Sequence, residues 1–156
     1  ADYLGGFTLQ GTKMIGSGTK EEKATLTFKR NGKPFLIAAS RSFVVRPERI
    51  SSDNAAVTIY WEKDSIYHPS VQVKYVADER MLTVVRDLQS GLTMPFFNSF
   101  HQVDMYVEAI YWKIDDPVMD LKMLSGQGES KMLLESLQQR INREEQVLYP
   151  KVEAIL

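Results

Sequence analysis

The sequence predicts a mainly β fold, an antiparallel β-sandwich or jelly-roll-like domain over residues 1–128 with a C-terminal α-helix over residues 129–156. Apolar and polar residues alternate through residues 55–86, with β-branched and aromatic side chains at the apolar positions. Such a period of two is typical of strands with one buried face. Leucine and isoleucine recur at helical spacing between Leu133 and Leu148, which predicts the helix.

Residues 55–86 are predicted to form a meander of short antiparallel strands. Three alternating segments surround Ile59, Val73 and Val84. Charged residues at 62–64 and 78–80 separate these segments, so the chain is expected to reverse at both places.

Glycines interrupt a weak strand pattern over residues 3–15, and residues 16–19 predict a turn or a flexible loop. The spacing of Gly11 and Gly16 matches a phosphate-binding loop, but Ser17 stands where that motif requires lysine. No helical pattern follows, so a turn or bulge is the better interpretation.

Asn31-Gly32 predicts a two-residue β-hairpin with a type I′ turn, because both residues tolerate positive φ. Pro34 lacks an amide hydrogen, which favours an exposed edge at this end of its strand. The expected cross-strand pairs are Arg30 with Lys33, Lys29 with Pro34, Phe28 with Phe35, and Leu26 with Ile37.

A strand through Val44 and Val45 is expected to leave the sheet at Pro47, and residues 51–54 predict a loop. The nearby arginines could bind an anion, although arginines in strands and turns more often form a solvated face. These arginines are Arg41, Arg46 and Arg49.

Residues 87–98 predict a long irregular connection, which could be a functional loop. The favoured alternative is that this segment packs three phenylalanines under the sheet. These are Phe96, Phe97 and Phe100. Residues 103–114 fit a strand or a helix, and the β-branched and aromatic content favours a strand.

Asp115-Asp116-Pro117 is expected to end that element, and residues 118–124 predict another short strand. Residues 125–128 then separate the β part from the predicted helix. The helix either docks on the sheet, which is favoured, or links the domain to the next one.

His101, Asp104 and Glu108 could together bind a metal ion if their segment is helical, because they would then lie on one face of the helix. In the favoured strand, Asp104 and Glu108 share a face and His101 points the other way, which separates the three ligands. His68 precedes Pro69 in an apparent turn and is expected at the surface.

The sequence contains only weak signals of an enzyme active site. Ser65, Ser70 and Ser99 lie near histidines without a nucleophile-elbow motif. Asp104 and Glu108 form the one carboxylate pair that a sheet would bring together for glycoside hydrolysis, since Asp115 and Asp116 diverge on an extended chain. A sugar-stacking surface could be built from Trp61, Trp112, Tyr60, Tyr67 and Tyr111, although packing is the commoner role of such residues.

The composition is that of one globular domain. The 156 residues are 44% hydrophobic and 25% charged, and the net charge of −1 gives no basic field for nucleic acid. The chain has no cysteine, which excludes disulfides and thiolate zinc sites, and no apolar run long enough for a transmembrane helix. The sequence begins without a methionine and ends within a helical pattern, so we expect a domain of a longer protein.

Three segments together resemble an internal part of very large exported proteins of Gram-negative bacteria: residues 5–11, 64–69 and 109–117. Residues 64–86 also resemble, more weakly, a strand pair of the β-jelly-roll modules of lipopolysaccharide transport. The resemblance implies an extracytoplasmic or envelope setting and no catalytic residues.

No residue is therefore predicted to be catalytic, to bind a cofactor or to hold a metal. We expect a noncatalytic structural or interaction module of a larger exported or envelope-associated protein. Its expected partners are neighbouring domains of the parent chain, another protein or a glycan. The alternative is a carbohydrate-binding or carbohydrate-active domain that uses exposed aromatic strands.

Overall fold

The structure is a computed structural model that describes residues 1–87 and 94–123 in full and the backbone of 128–133. These residues form a mainly antiparallel β fold and contain no helix. The strands are β1 Asp2–Leu4, β2 Gly6–Gln10, β3 Lys13–Ser17, β4 Ala24–Arg30, β5 Lys33–Ser40, β6 Ser42–Val45, β7 Arg49–Trp61, β8 Asp64–Val76, β9 Met81–Arg86, β10 Phe96–Asn98, β11 Val103–Met105, β12 Ala109–Lys113, β13 Val118–Met123 and β14 Gly128–Leu133.

The predicted central meander is confirmed as β7, β8 and β9, although its first two strands are much longer than expected. Strands β7 and β8 have 13 residues each and are joined by a two-residue turn between Trp61 and Asp64. The prediction of a loop at 51–54 is wrong, because these residues lie in β7. The register of β7 against β8 shifts between Ser52 and Val57. A bulge therefore accommodates within the strand the polar residues whose composition predicted a loop.

The neighbours of the long β7–β8 hairpin change along its length. Strand β7 pairs first with β6, through Ile50, and then with β5, from Ala55 onward. Strand β8 pairs first with β10, near Ile66, and then with β9, from Val71 onward. Two sets of strands therefore meet on this hairpin. One set contains β1, β4, β5, β10 and β11, and the other contains β2, β3, β6, β9, β12, β13 and β14.

Aromatic side chains from the first set pack against the second set and against strand β8 of the hairpin in one core. The ring centroids of Phe28 and Tyr75 are 5.2 Å apart, and those of Phe35 and Trp112 are 5.8 Å apart. Both contacts are edge-to-face, a geometry that adds about 0.5–1.5 kcal/mol to simple burial.

The Asn31-Gly32 turn is confirmed, since both residues have positive φ, 51° and 76°. Arg30 pairs with Lys33, and β5 pairs with β7 only from Leu36 onward, which leaves Pro34 outside that ladder as expected. The predicted pair of Lys29 with Pro34 is confirmed too, but the pairs predicted beyond it are wrong, because a bulge places Phe28 opposite Leu36 and Leu26 opposite Ala38. The extra residue allows the adjacent Phe35 and Leu36 both to be buried.

The strand prediction for 103–114 is confirmed as two pieces, β11 and β12, separated by a break at 106–108. The predicted connection at 87–98 includes strand β10, whose Phe96 lies in the core, and 88–93 fall outside the described residues.

The predicted helix does not begin at residue 129, because 129–133 lie in β14 and pair antiparallel with β13. The apolar stripe that predicted the helix begins at Leu133, so 129–132 had no helical signal of their own, and pairing at the edge of β13 prevails. The rest of the predicted helix, 134–156, and its docking lie outside the described residues.

Candidate functional site

Strand β2 is an edge strand whose five residues are all exposed. It pairs with β3 along one side, and within the described residues no strand pairs with its other side. Its sequence, Gly-Phe-Thr-Leu-Gln, contains no charged residue and no proline, the devices that usually protect an edge from other strands. Among the described strands, this edge of β2 is therefore left unpaired.

The side chains of Phe7 and Leu9 are 60% and 68% exposed, yet they lie on the core side of the sheet. Phe7 is opposite Gly16, which is opposite the fully buried Phe43. Directly paired residues of antiparallel strands point to the same face. The apolar face of the core thus continues to the edge of the sheet, where water reaches it.

The position of β2 depends on a sharp turn at Gly5 and on Tyr3. Gly5 has φ +152°, and a Cβ there would lie 2.7 Å from the Cβ of Ala24. The Tyr3 hydroxyl donates a 2.5 Å hydrogen bond to the Gly6 carbonyl, and its ring packs edge-to-face on Phe43 at 6.4 Å. The N-terminal segment therefore crosses from β4, the partner of β1, to β3, the partner of β2.

A second exposed apolar group contains Tyr60, Tyr67 and Phe97. Tyr67 is directly opposite Phe97, while Tyr60 is opposite Ser65, two residues from Tyr67. All three side chains consequently lie on one face of neighbouring strands, which we call the aromatic patch.

The larger sugar-stacking surface that the sequence left as an alternative is not assembled in the structure. Trp112 is only 3% exposed and donates its indole N–H to the Asp116 carbonyl at 2.9 Å. Trp61 is half-buried and packs on the core. Tyr111 belongs to β12, which lies between β9 and β13. The Lys122 ammonium lies over its ring, 5.1 Å from the ring centroid, in a cation–π contact.

An open cleft of about 490 Å³ lies at the β7 bulge, lined in part by Lys23 and Arg41. Its buried hydroxyls already have partners: Ser52 donates to the Ser40 hydroxyl at 2.8 Å, and Ser40 donates to the Asn54 carbonyl at 2.6 Å. These bonds connect the end of β5 to the bulge, which is a structural role.

His68 is 4% exposed and lies inside β8, so the expectation of a surface histidine is wrong. Its Nδ1 accepts a hydrogen bond from the Ser70 N–H at 3.0 Å, and Nε2 lies 2.8 Å from the Met94 carbonyl. The ring is therefore neutral with its hydrogen on Nε2. Arg86 donates to the same Met94 carbonyl at 2.9 Å.

Burial is the main reason why the pKa of His68 is lowered, and the positive charge of Arg86 lowers it further. Burial also lowers the pKa of Arg86, against the opposing charge of Glu108. Both side chains hold the backbone at Met94, and Arg86 also donates to the Tyr106 carbonyl at 3.1 Å. They act as a structural clamp, which the sequence did not reveal because the pattern His68-Pro69 resembled a turn.

The residues considered for metal binding and glycoside hydrolysis are separated. Asp104 is exposed on β11, whereas Glu108 is buried in the break before β12, so the prediction that they share a face is wrong. The break at 106–108 interrupts the alternation on which that prediction depended. Within the described ranges, no three His, Asp or Glu side chains lie close enough to hold a metal ion.

The serines and arginines are likewise not gathered into one site. Ser70 reaches His68 through its backbone N–H, and its hydroxyl donates to the Asn54 side chain at 3.2 Å. Arg46 and Arg49 exchange backbone hydrogen bonds across the β6–β7 turn, whereas Arg41 lines the cleft.

The residues that sequence reasoning missed are Phe7, Leu9 and Phe97. Phe7 and Leu9 alternate with Gly6, Thr8 and Gln10 without any charge, which is the available signal of an unprotected edge. Phe97 was expected to pack under the sheet with Phe96, but adjacent residues of a strand point to opposite faces.

The described part of the chain has no helix long and apolar enough to cross a membrane. Comparison of the chain with models of protein families, with curated proteins and with solved structures finds no match.

Proposed function

We propose that the domain is a noncatalytic interaction module of a larger exported or envelope-associated protein, and that it binds protein partners by strand addition at β2. The observation that carries the proposal is the open edge of β2, with Phe7 and Leu9 exposed on the core side of the sheet. Backbone hydrogen bonds to an added strand give affinity, and alternate side chains give specificity. A neighbouring domain of the parent chain or a separate protein can supply that strand.

The orientation of the backbone supports this mode of binding. Gly11 has φ +63° and begins a two-residue turn, so Gln10 and Lys13 form a hydrogen-bonded pair. Hydrogen-bonded pairs alternate along antiparallel strands, and Thr8 therefore bonds to β3. The N–H and C=O groups of Phe7 and Leu9 point to the open edge.

The noncatalytic part of the proposal is supported by the roles of the buried polar groups. Both ring nitrogens of His68 are occupied by backbone groups, and the hydroxyls of Ser40 and Ser52 bond to each other and to backbone carbonyls. Groups engaged in this way stabilise the fold and are not presented to a substrate.

We also infer that the two sets of strands form the layers of a β-sandwich of jelly-roll type. The contact of Phe35 in β5 with Trp112 in β12 supports this arrangement, because it joins one set to the other. The contact of Phe28 with Tyr75 joins the first set to the half of β8 that pairs with β9. The bulge in β7, where the chain changes neighbours, is the kind of feature by which strands pass between layers.

Site-specific photocross-linking in the native cell tests the binding mode. A benzophenone side chain in place of Phe7 should form adducts with protein, whereas the same group in place of Glu79, an exposed turn residue, should not. Absence of protein adducts at position 7 would overturn the proposal, as would equal yields at both positions.

The proposed compartment rests on the resemblance of the chain to exported proteins. Fusion of the parent protein, cut after this domain, to alkaline phosphatase should give active enzyme, because that reporter needs disulfides that form outside the cytoplasm. A full-length but inactive fusion would contradict export.

A second candidate function, carbohydrate binding, is favoured by the aromatic patch. Tyr60, Tyr67 and Phe97 present ring surface on one face, as sugar stacking requires. On a glycan array, Tyr67→Ala should then abolish any binding that Phe7→Ala leaves intact. Binding that survives Tyr67→Ala, or an array without signal, would remove this candidate.

A further inference from the structure

Strand β2 has a sequence that is complementary to itself when two copies run antiparallel. With a two-fold axis at Thr8, Phe7 of one copy lies opposite Leu9 of the other, and the reverse holds on the other side of the axis. Both apolar residues lie on the same face of their strands, so the two copies would cover each other's exposed side chains.

The backbone geometry fits the same arrangement. Phe7 and Leu9 are the residues whose N–H and C=O groups point away from β3, as the pairing with β3 dictates. In the two-fold arrangement, each Phe7 exchanges two hydrogen bonds with the Leu9 opposite. Four backbone hydrogen bonds thus form without any change in the β2–β3 ladder.

Charge does not oppose the pairing of two copies. Strand β2 carries no charged side chain, and the chain as a whole has a net charge of −1. A foreign partner could also fit the edge, but a second copy satisfies the apolar pattern and the hydrogen-bond pattern with no further assumption.

We propose that β2 pairs with β2 of a second copy of this chain, joining two domains through one continuous antiparallel sheet. This inference rests on the proposed function, since it names the partner that the open edge takes. The contact is small, so the affinity of the dimer is low and the dimer forms only at high protein concentration. Parent chains that are held close together raise the effective concentration and so stabilise the dimer.

A charge-swap experiment tests the symmetry directly. Thr8 is exposed on the face opposite Phe7 and Leu9 and would lie opposite Thr8 of the other copy. Thr8→Lys alone and Thr8→Glu alone each bring like charges together and should weaken dimerisation about fivefold. An equimolar mixture of the two variants should restore it, as sedimentation velocity with one labelled variant would show.

Leu4→Lys is the matched control, because Leu4 is an even more exposed apolar residue on β1, which precedes β2 in the chain and pairs with β4 instead of β3. It should dimerise like the unaltered protein. Circular dichroism of each variant should match that of the unaltered protein, since Thr8 and Leu4 are both exposed.

The failure of this inference is distinguishable from failure of the proposed function. A protein that stays monomeric at every soluble concentration, or a mixture without rescue, would overturn self-pairing. If position 7 still cross-links to a different protein, strand addition stands with another partner. Adducts with neither itself nor another protein would overturn both proposals.

Discussion

The β7–β8 hairpin and strand β2 are built from the same kinds of residues but differ in what covers them. In the hairpin, Val57 and Ile59 are buried, and β5, β6, β9 and β10 flank the two strands. In β2, Phe7 and Leu9 are exposed, and one side of the strand is open within the described residues. Alternation of apolar residues thus predicts a strand, whereas the neighbours decide whether its apolar face is core or contact surface.

Truncation of equivalent side chains should give the largest contrast between the two regions. Ile59→Ala removes a fully buried side chain and should lower the free energy of unfolding by about 2–5 kcal/mol. Leu9→Ala should change it by no more than about 0.5 kcal/mol, because Leu9 is exposed. Urea denaturation measures both, and similar losses would show that β2 belongs to the core.

The position of β2 should depend more on the backbone than on burial. Gly5→Ala places a Cβ 2.7 Å from Ala24 at a φ that only glycine adopts readily, and should cost roughly 3 kcal/mol. Gly11→Ala is the control: it also has positive φ, but no atom lies within 4 Å of the added Cβ, so about 1 kcal/mol is expected. Equal thermal melting of the two variants would argue against a constraint at Gly5.

The His68 clamp in the buried region should give the smallest effect, visible as a pH dependence. The pKa of His68 is lowered from its ordinary value of 6.5, so the folded state favours the neutral ring. The neutral ring of His68 therefore contributes to the free energy of unfolding. This contribution is complete above pH 6.5 and is lost as the pH falls through the lowered pKa.

His68→Gln should therefore lower stability by about 1 kcal/mol at pH 7 and remove this part of the loss on acidification. Stability curves between pH 7 and pH 5 would check both effects. Parallel curves for the variant and the unaltered protein would assign the dependence to other groups.

The sequence predicted the strand-rich class, the central meander and the Asn31-Gly32 turn, because these depend on local alternation and local turn chemistry. It did not predict the bulges. The bulge at Phe28 shifts the pairing by one residue so that Phe35 and Leu36 are both buried, a gain that depends on distant packing partners such as Trp112. Local patterns carry no information about such partners.

The candidate surface was harder to predict for a related reason. The exposure of Phe7 follows from β2 pairing with β3 alone among the strands that the structure describes, which is a property of strand order. His68-Pro69 and residues 51–54 were interpreted as turns because proline and polar residues are common there. In the structure, the irregular pairing of β7 and β8 accommodates these residues within long strands.

The two-residue turn between Trp61 and Asp64 has a consequence for the order of folding. It makes β7 and β8 close neighbours in sequence, whereas β3 must find β6 and β9 must find β12 across long stretches of chain. Contacts that close short loops form early, and distant strand pairs limit the folding rate to milliseconds or longer. We therefore expect the hairpin to be the folding nucleus, with high φ-values at Ile59 and Ile66 and low ones at Tyr3. The β2–β3 pair also closes a short turn, but it joins the rest of the sheet only through the distant pairing of β3 with β6, so we expect the surface proposed for partners to reach its final place late.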